Sequence, residues 1–239
     1  MFLWIAATVI AFFVKGLCGF ANTMVFTSML SFATNNIDIS PIDLMLSYFT
    51  NSAIVVRERK RVEWRIVLPL AGLMFLGLIP GLFFLKNTDA KIVKIGFGVI
   101  IVYLGFNMLW RDLHPNQTHK DSKIGIIIIG VLAGVMSGMY GIGALLSAYL
   151  TRMSKDTRSF KANICTVFLI EDTLRVVMYA VTGIITLAAL KRTLMLTPFM
   201  ALGLFIGIKS ANVLNERTAR KIVIIMLIIS GAALIANNL

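Results

Sequence analysis

Residues 2–34 read FLWIAATVIAFFVKGLCGFANTMVFTSMLSFAT, an apolar block with a single charge at Lys15. As one straight helix this block would be about 50 Å long at 1.5 Å per residue. The hydrocarbon core of a bilayer is only about 30 Å thick, and about 20 residues cross it. Glycines stand in the middle of the block, at Gly16 and Gly19. Glycine weakens helix interiors and permits sharp breaks. The stretch therefore predicts two short helices folded back at the glycines. Residues 124–151 repeat the situation: over-long, apolar, and broken at Gly134, Gly138, Gly141 and Gly143.

The rest of the chain extends this reading. Six further apolar blocks, 41–56, 66–85, 92–110, 162–182, 193–214 and 221–237, fall near the length of a membrane span, 41–56 being slightly short. Of the 239 residues 58% are hydrophobic and 14% charged. A soluble globule of this size has too little interior to bury such a surface. A soluble enzyme, a disulfide scaffold and a disordered chain are thereby excluded. The N-terminus has no basic region or cleavage pattern and reads as a first membrane segment rather than a signal peptide.

Internal repeats organise the blocks. Gly16-Leu17-Cys18-Gly19 parallels Gly138-Met139-Tyr140-Gly141 at an offset of 122. Leu76-Gly77-Leu78 with Gly81 parallels Leu202-Gly203-Leu204 with Gly207 at an offset of 126. Lys91-Ile92-Val93 parallels Lys221-Ile222-Val223 at an offset of 130. The expected division is a first membrane repeat over 1–110, a cytoplasmic linker over 111–123 and a second repeat over 124–239.

Charge gives the orientation. The 23 Lys+Arg exceed the 11 Asp+Glu, a formal net charge of +12. Cytoplasmic loops collect lysine and arginine. With eight single crossings, the 20 basic residues outside the blocks split evenly. With 2–34 and 124–151 folded back, fifteen fall on one side, around 57–65, 111–123, 152–161 and 217–221, against five on the other. The count favours folded-back blocks with both termini outside. Each half then has an odd number of crossings, so the halves are inverted repeats. The expected fold is an all-α integral membrane protein, each repeat a glycine-broken hairpin plus three transmembrane helices. The expected location is the cytoplasmic (inner) membrane.

A helix broken inside a membrane leaves backbone groups that need protein or a watery cavity. The second arms, beginning near Gly19 and Gly141, would present N–H groups and a positive dipole end to an anion. Lys15, Asn22, Ser137 and Tyr140 lie beside the two tips. An intramembrane charge without a nearby carboxylate marks a functional position, and Lys15 is one. Glu171, Asp172 and Arg175 share one helical face by their three- and four-residue spacing. Arg175 is expected to help hold the anion. Glu171 or Asp172 is expected to carry a proton. Lys209, near a helix end, is expected to snorkel to the interface.

Other chemistries find no signature. There is no GxxxxGK[ST], no HExxH and no cysteine cluster. Cys18 and Cys165 lie apart within apolar blocks, and His114 and His119 share one polar loop. No catalytic residue, metal site or cofactor is expected, and no nucleic-acid partner. The expected partners are a small anion and the lipid bilayer, with a homodimer left open. A cation or metal carrier, another organic-anion carrier, a channel and a non-transporting accessory protein remain alternatives.

At these positions the chain resembles the sulfite exporter TauE/SafE family of membrane transporters. The resemblance rests on Gly16-Leu17-Cys18-Gly19-Phe20 and on Arg59-Lys60-Arg61-Val62-Glu63-Trp64-Arg65 leading into Leu68-Pro69-Leu70. It continues through Gly134 to Gly143, Asp172-Thr173-Leu174-Arg175 with Tyr179, Thr182-Gly183, and Leu214-Asn215-Glu216-Arg217-Thr218. It implies a carrier of two related halves moving sulfite or an organosulfonate, coupled to an ion gradient. The chain departs from the family pattern at Gly143-Ala144-Leu145, where many relatives carry three glycines. It departs again at Ser147-Ala148-Tyr149, where many carry a proline. Both departures flank the expected site.

Overall fold

The computed structural model describes residues 1–30, 33–34, 36–87, 123–140 and 156–211, with further single helical positions within 95–110, 146–154 and 221–236. The linker expected over 111–123 lies outside the described residues except for Lys123, and so does Gly141. Among the described residues the only regular elements are helices: α1 (Phe2–Cys18), α2 (Asn22–Leu30), α3 (Asn36–Glu58), a short 3₁₀ turn (Arg59–Arg61), α4 (Trp64–Asn87), α5 (Lys123–Tyr140), α6 (Thr157–Val181) and α7 (Leu187–Ala211).

The first long block breaks between α1 and α2. Gly19 closes α1 with φ +88°, a left-handed conformation that glycine adopts without penalty. Its N–H donates to the Lys15 carbonyl at 2.6 Å, satisfying one of the open carbonyls at the helix end. Ala21 follows with φ 71°, an unusual conformation for a residue with a Cβ. The arms are unequal, 17 residues in α1 and 9 in α2. The Trp4 and Phe26 rings meet edge to face at 5.9 Å, so α2 returns alongside α1. The turn does not reach the end of the bundle. Asn22 touches Asp43 and Ser47, well inside α3, and the Gly19 carbonyl meets Cys165, nine residues into α6.

Among the described residues three helices are long and apolar enough to cross a membrane, spanning Asp38–Arg61, Trp64–Gly81 and Leu187–Ala211. Their burial separates their roles. In the first, 67% of the apolar window is buried, against 22% in the last. α3 is thus the central helix, while α7 turns most of its surface outward, with Leu194, Leu202 and Phe205 exposed. Lys209 is exposed in the last turn of α7, the position expected for snorkelling.

Glycines set the helix pairs. A Cβ on Gly203 would stand 2.5 Å from the Val9 carbonyl oxygen, and one on Gly207 would strike the Phe13 carbonyl, so α1 and α7 pack backbone to backbone. A Cβ on Gly77 would strike the Val131 carbonyl, and one on Gly81 would stand 2.5 Å from that of Val135, which packs α4 on α5 in the same way. The contacted pairs match at the sequence offsets: Val9 and Phe13 against Val131 and Val135 at 122, Gly77 and Gly81 against Gly203 and Gly207 at 126. Small residues that let backbones approach are how helices associate in lipid. α3 and α6 cross at the centre, and each also packs on a helix of the other half.

One end of the bundle carries Arg57, Arg59, Lys60 and Arg61. The 3₁₀ turn Arg59–Arg61 joins α3 to α4 there, and Arg61 reaches Asp156 at 3.0 Å. The Asp156 carboxylate also accepts from the Ser159 N–H at 2.6 Å and so caps the start of α6. The Ser159 N–H, aided by Arg61, holds this carboxyl below the ordinary carboxylate range. At the opposite end, Arg192 stacks on Trp4 at 4.7 Å.

Candidate functional site

Two polar stripes meet where α3 crosses α6. On α3 the stripe is Ser40, Asp43, Ser47 and Asn51, spaced three and four apart, so one face is polar. On α6 it is Glu171, Asp172, Arg175 and Tyr179. Asn51 donates to Asp172 at 2.8 Å. Arg175 donates through one nitrogen to Ser40 and to the Tyr179 hydroxyl, both at 3.2 Å, and these two hydroxyls lie 3.0 Å apart. Its other terminal nitrogen lies 4.0 Å from Asp172. Buried polar groups need such partners, because a lost hydrogen bond in a low-dielectric interior is costly.

Residues of α1, α2 and α5 close on this crossing. Asn22, the first residue of α2, donates to Asp43 at 3.2 Å and to Ser47 at 2.7 Å. Thr23 donates to the other oxygen of Asp43 at 2.5 Å. From α5, Ser137 donates to Glu171. Lys15 enters from α1 and is 1% exposed. Among the described residues no hydrogen bond or ion pair holds its ammonium, which lies 5.9 Å from the centre of the Phe12 ring.

These side chains line one cavity. Lys15, Asn22, Ser137, Glu171, Asp172 and Arg175 share its wall, so six of the nine site residues expected from sequence come together. The space between them is narrow, enough for about one or two water molecules. Phe20 lines it too and packs edge to face on Phe160 at 5.8 Å.

The remaining three residues fall differently. Gly19 was expected to offer its own amide. That N–H is engaged by Lys15, because the residue caps α1, and its carbonyl accepts from Cys165 at 3.3 Å. The open N–H groups of the second arm begin three residues later, at the start of α2. Tyr140 is the last residue of α5, with its side chain outside the described residues, as is the whole of Gly141.

Asp43, Ser47 and Asn51 of α3, with Thr23 of α2, are polar wall residues that sequence reading missed. The four-residue spacing of the three on α3 was the available signal. Lys161 was also placed in a loop, yet it lies on α6 and donates to the Gly16 carbonyl at 3.0 Å, capping the end of α1 from the side. Among the described residues there is no group of three or more His, Cys, Asp or Glu side chains arranged to hold a metal ion.

Helices of spanning length around a buried, charged cavity define an integral membrane protein with a polar centre. Residues 4–234 match the sulfite exporter TauE/SafE family, and the chain belongs to that family of membrane transporters. Neither a curated protein nor a solved structure gives a match.

Proposed function

We propose that the protein is a secondary carrier moving a small sulfur-containing anion, sulfite or an organosulfonate, across the cytoplasmic membrane. The observation that carries the reading is Lys15, buried beside the break between α1 and α2 and, among the described residues, without a hydrogen bond or ion pair. A charge at such depth is expensive and marks a pathway or substrate site. Lys15 and Arg175 attract the anion. The side chains of Asn22 and Ser137 and the first N–H groups of α2 bind its oxygens, with Gly19 making the turn that aims them. Tyr140 and Gly141 supply the corresponding tip of the second hairpin. Glu171 or Asp172 carries a coupling proton.

Two inverted repeats, each a hairpin plus three spanning helices, provide alternating access by rocking against each other about the α3–α6 crossing. The repeated glycine contacts support this division at 1–110 and 124–239. The basic end of the bundle faces the cytoplasm and both termini face outward, in accord with the loop charges. The narrowness of the cavity fits an occluded conformation, in which the walls part before the anion enters.

Three carboxylates around the cavity, Asp43, Glu171 and Asp172, also favour a second reading, a cation carrier. One experiment separates the two. Purified protein in proteoliposomes is loaded with sulfite or a sulfonate and assayed for counterflow. Lys15→Met and Arg175→Met each reduce anion counterflow at least tenfold if the anion reading holds. Unchanged flux in both variants refutes the site, and cation flux indifferent to Lys15→Met supports the rival.

A further inference from the structure

The donors nearest the first hairpin tip are already occupied by a carboxylate. Asp43 is 3% exposed and accepts from Asn22 at 3.2 Å and from Thr23 at 2.5 Å, the first two side chains of α2. It sits at the positive end of that nine-residue helix, where an anion is favoured. Lys15, buried and without a hydrogen bond or ion pair among the described residues, faces the same space. The other two carboxylates are held elsewhere, Glu171 by Ser137 and Asp172 by Asn51 with Arg175 nearby. Of the three, Asp43 alone is held by α2.

We propose that the Asp43 carboxylate occupies the hydrogen-bond donors that the transported anion needs, and that its protonation releases them, so that one proton enters the cavity with each singly charged anion. This deepens the carrier reading and rests on it. A proton carried through Glu171 or Asp172 meets the anion at Asp43.

Two arguments lead here. The first is competition. Asn22 and Thr23 donate to an ionised Asp43 and cannot give the same protons to a second acceptor. A neutral acid accepts weakly and becomes a donor itself. The second is charge. Around the cavity three carboxylates face two cations, Lys15 and Arg175. With all three ionised, a further anion would add to a negative excess in a water-poor site, where like charges repel strongly. Adding one proton per anion leaves the total charge unchanged. The groups that act on Asp43 are Lys15 from α1 and Asp172 and Arg175 from α6. From α2 it meets the neutral Asn22 and Thr23, and α7 meets this part of α3 through Thr193 on Met45.

The test uses the full chain in detergent and methanesulfonate as probe. A sulfonate stays singly charged across the neutral range, so any pH dependence belongs to the protein. Titration calorimetry in two buffers of different ionisation enthalpy counts the protons taken up. The wild type is expected to take up one proton per anion, with affinity falling about tenfold per pH unit on the alkaline limb. Asp43→Asn is expected to bind without proton uptake and without that limb. Thr23→Val, which removes one donor to the carboxylate, moves the limb to higher pH and serves where Asp43→Asn fails to fold. Binding by the wild type without proton uptake overturns the proposal and leaves the carrier reading intact. So does a limb unmoved in Thr23→Val or retained in Asp43→Asn. No binding of methanesulfonate or sulfite at any pH overturns both.

Discussion

Alanine at Gly203 tests whether the glycine contacts hold the bundle together. The added Cβ would stand 2.5 Å from the Val9 oxygen, 3.1 Å from the Val9 Cα and 3.2 Å from the Phe13 nitrogen. All three are backbone atoms and cannot rotate aside. Ordinary contact begins at 3.4 Å, so α1 and α7 must separate by about 0.9 Å along that line. A gap of about 0.5–1 Å forfeits a quarter to a half of each dispersion contact across the seam. Overpacking of this kind costs about 1–3 kcal/mol. Gly72, in α4, is the control, because a Cβ there meets nothing within 4 Å. Both changes replace glycine by alanine inside a helix, so the propensity gain of about 1 kcal/mol cancels in the comparison. Gly203→Ala is therefore expected to be less stable than Gly72→Ala by about 1–3 kcal/mol. Thermal unfolding of the two variants in one detergent reads the difference, at about 2–4 °C per kcal/mol. Gly81→Ala, whose Cβ would stand 2.5 Å from the Val135 oxygen, should fall with Gly203→Ala. Equal melting temperatures for Gly203→Ala and Gly72→Ala would refute the packing argument, and a divergence of Gly81→Ala from Gly203→Ala would refute the equivalence of the two seams.

Two further outcomes follow from local geometry. Gly19→Ala places a Cβ at φ +88° and 2.8 Å from the Lys161 Cγ, so it should cost about 1–2 kcal/mol in melting experiments and reduce anion counterflow; wild-type stability and flux together would show that the turn does not depend on glycine. Asp156→Ala removes the cap of α6 and the partner of Arg61 at an exposed position, so a modest drop in melting temperature is expected at neutral pH. Because the folded carboxyl is held below the ordinary value of about 3.9, its contribution is present above that value and lost as pH falls through the depressed one. The gap between wild type and Asp156→Ala should then close in acid, and a gap that persists unchanged there would contradict the assignment.

The break in the first block was legible because length and glycine placement speak to the same point. A straight helix over 2–34 has no membrane to fit, and Gly19 is where the chain reverses. Lys15, Glu171, Asp172 and Arg175 were legible because a charge inside an apolar block has few explanations. Asp43, Ser47 and Asn51 were not, since block 41–56 was judged by length alone, and one acid near its edge with neutral neighbours does not stand out. The spacing of those three residues carried the information, but which helix the polar face meets depends on packing. Lys161 failed for a related reason. It follows a loop in sequence, and only the position of α1 makes its side chain turn inward to Gly16. The fate of the Gly19 amide was equally hidden, because capping geometry decides which N–H a helix end leaves free.

The arrangement of partners around the cavity bears on why the site is built from charges that do not pair off. Each carboxylate accepts from a neutral donor: Asp43 from Asn22 and Thr23, Asp172 from Asn51, Glu171 from Ser137. Arg175 gives its hydrogen bonds to Ser40 and Tyr179 and stays 4.0 Å from Asp172. A core designed only for stability would draw Lys15 onto one of these acids, since an unpaired lysine at the centre of a membrane helix costs about 2.5–3.5 kcal/mol on insertion scales. A lysine locked in an ion pair, however, meets an arriving anion as a weak dipole. On the proposed reading, a lysine held apart from the acids by amides and hydroxyls attracts the anion more strongly in such a poorly screened space, with the anion as its missing partner. The instability of the empty site and its capacity to bind thus share one cause, the separation of opposite charges by neutral hydrogen-bonding side chains on α2, α3 and α5.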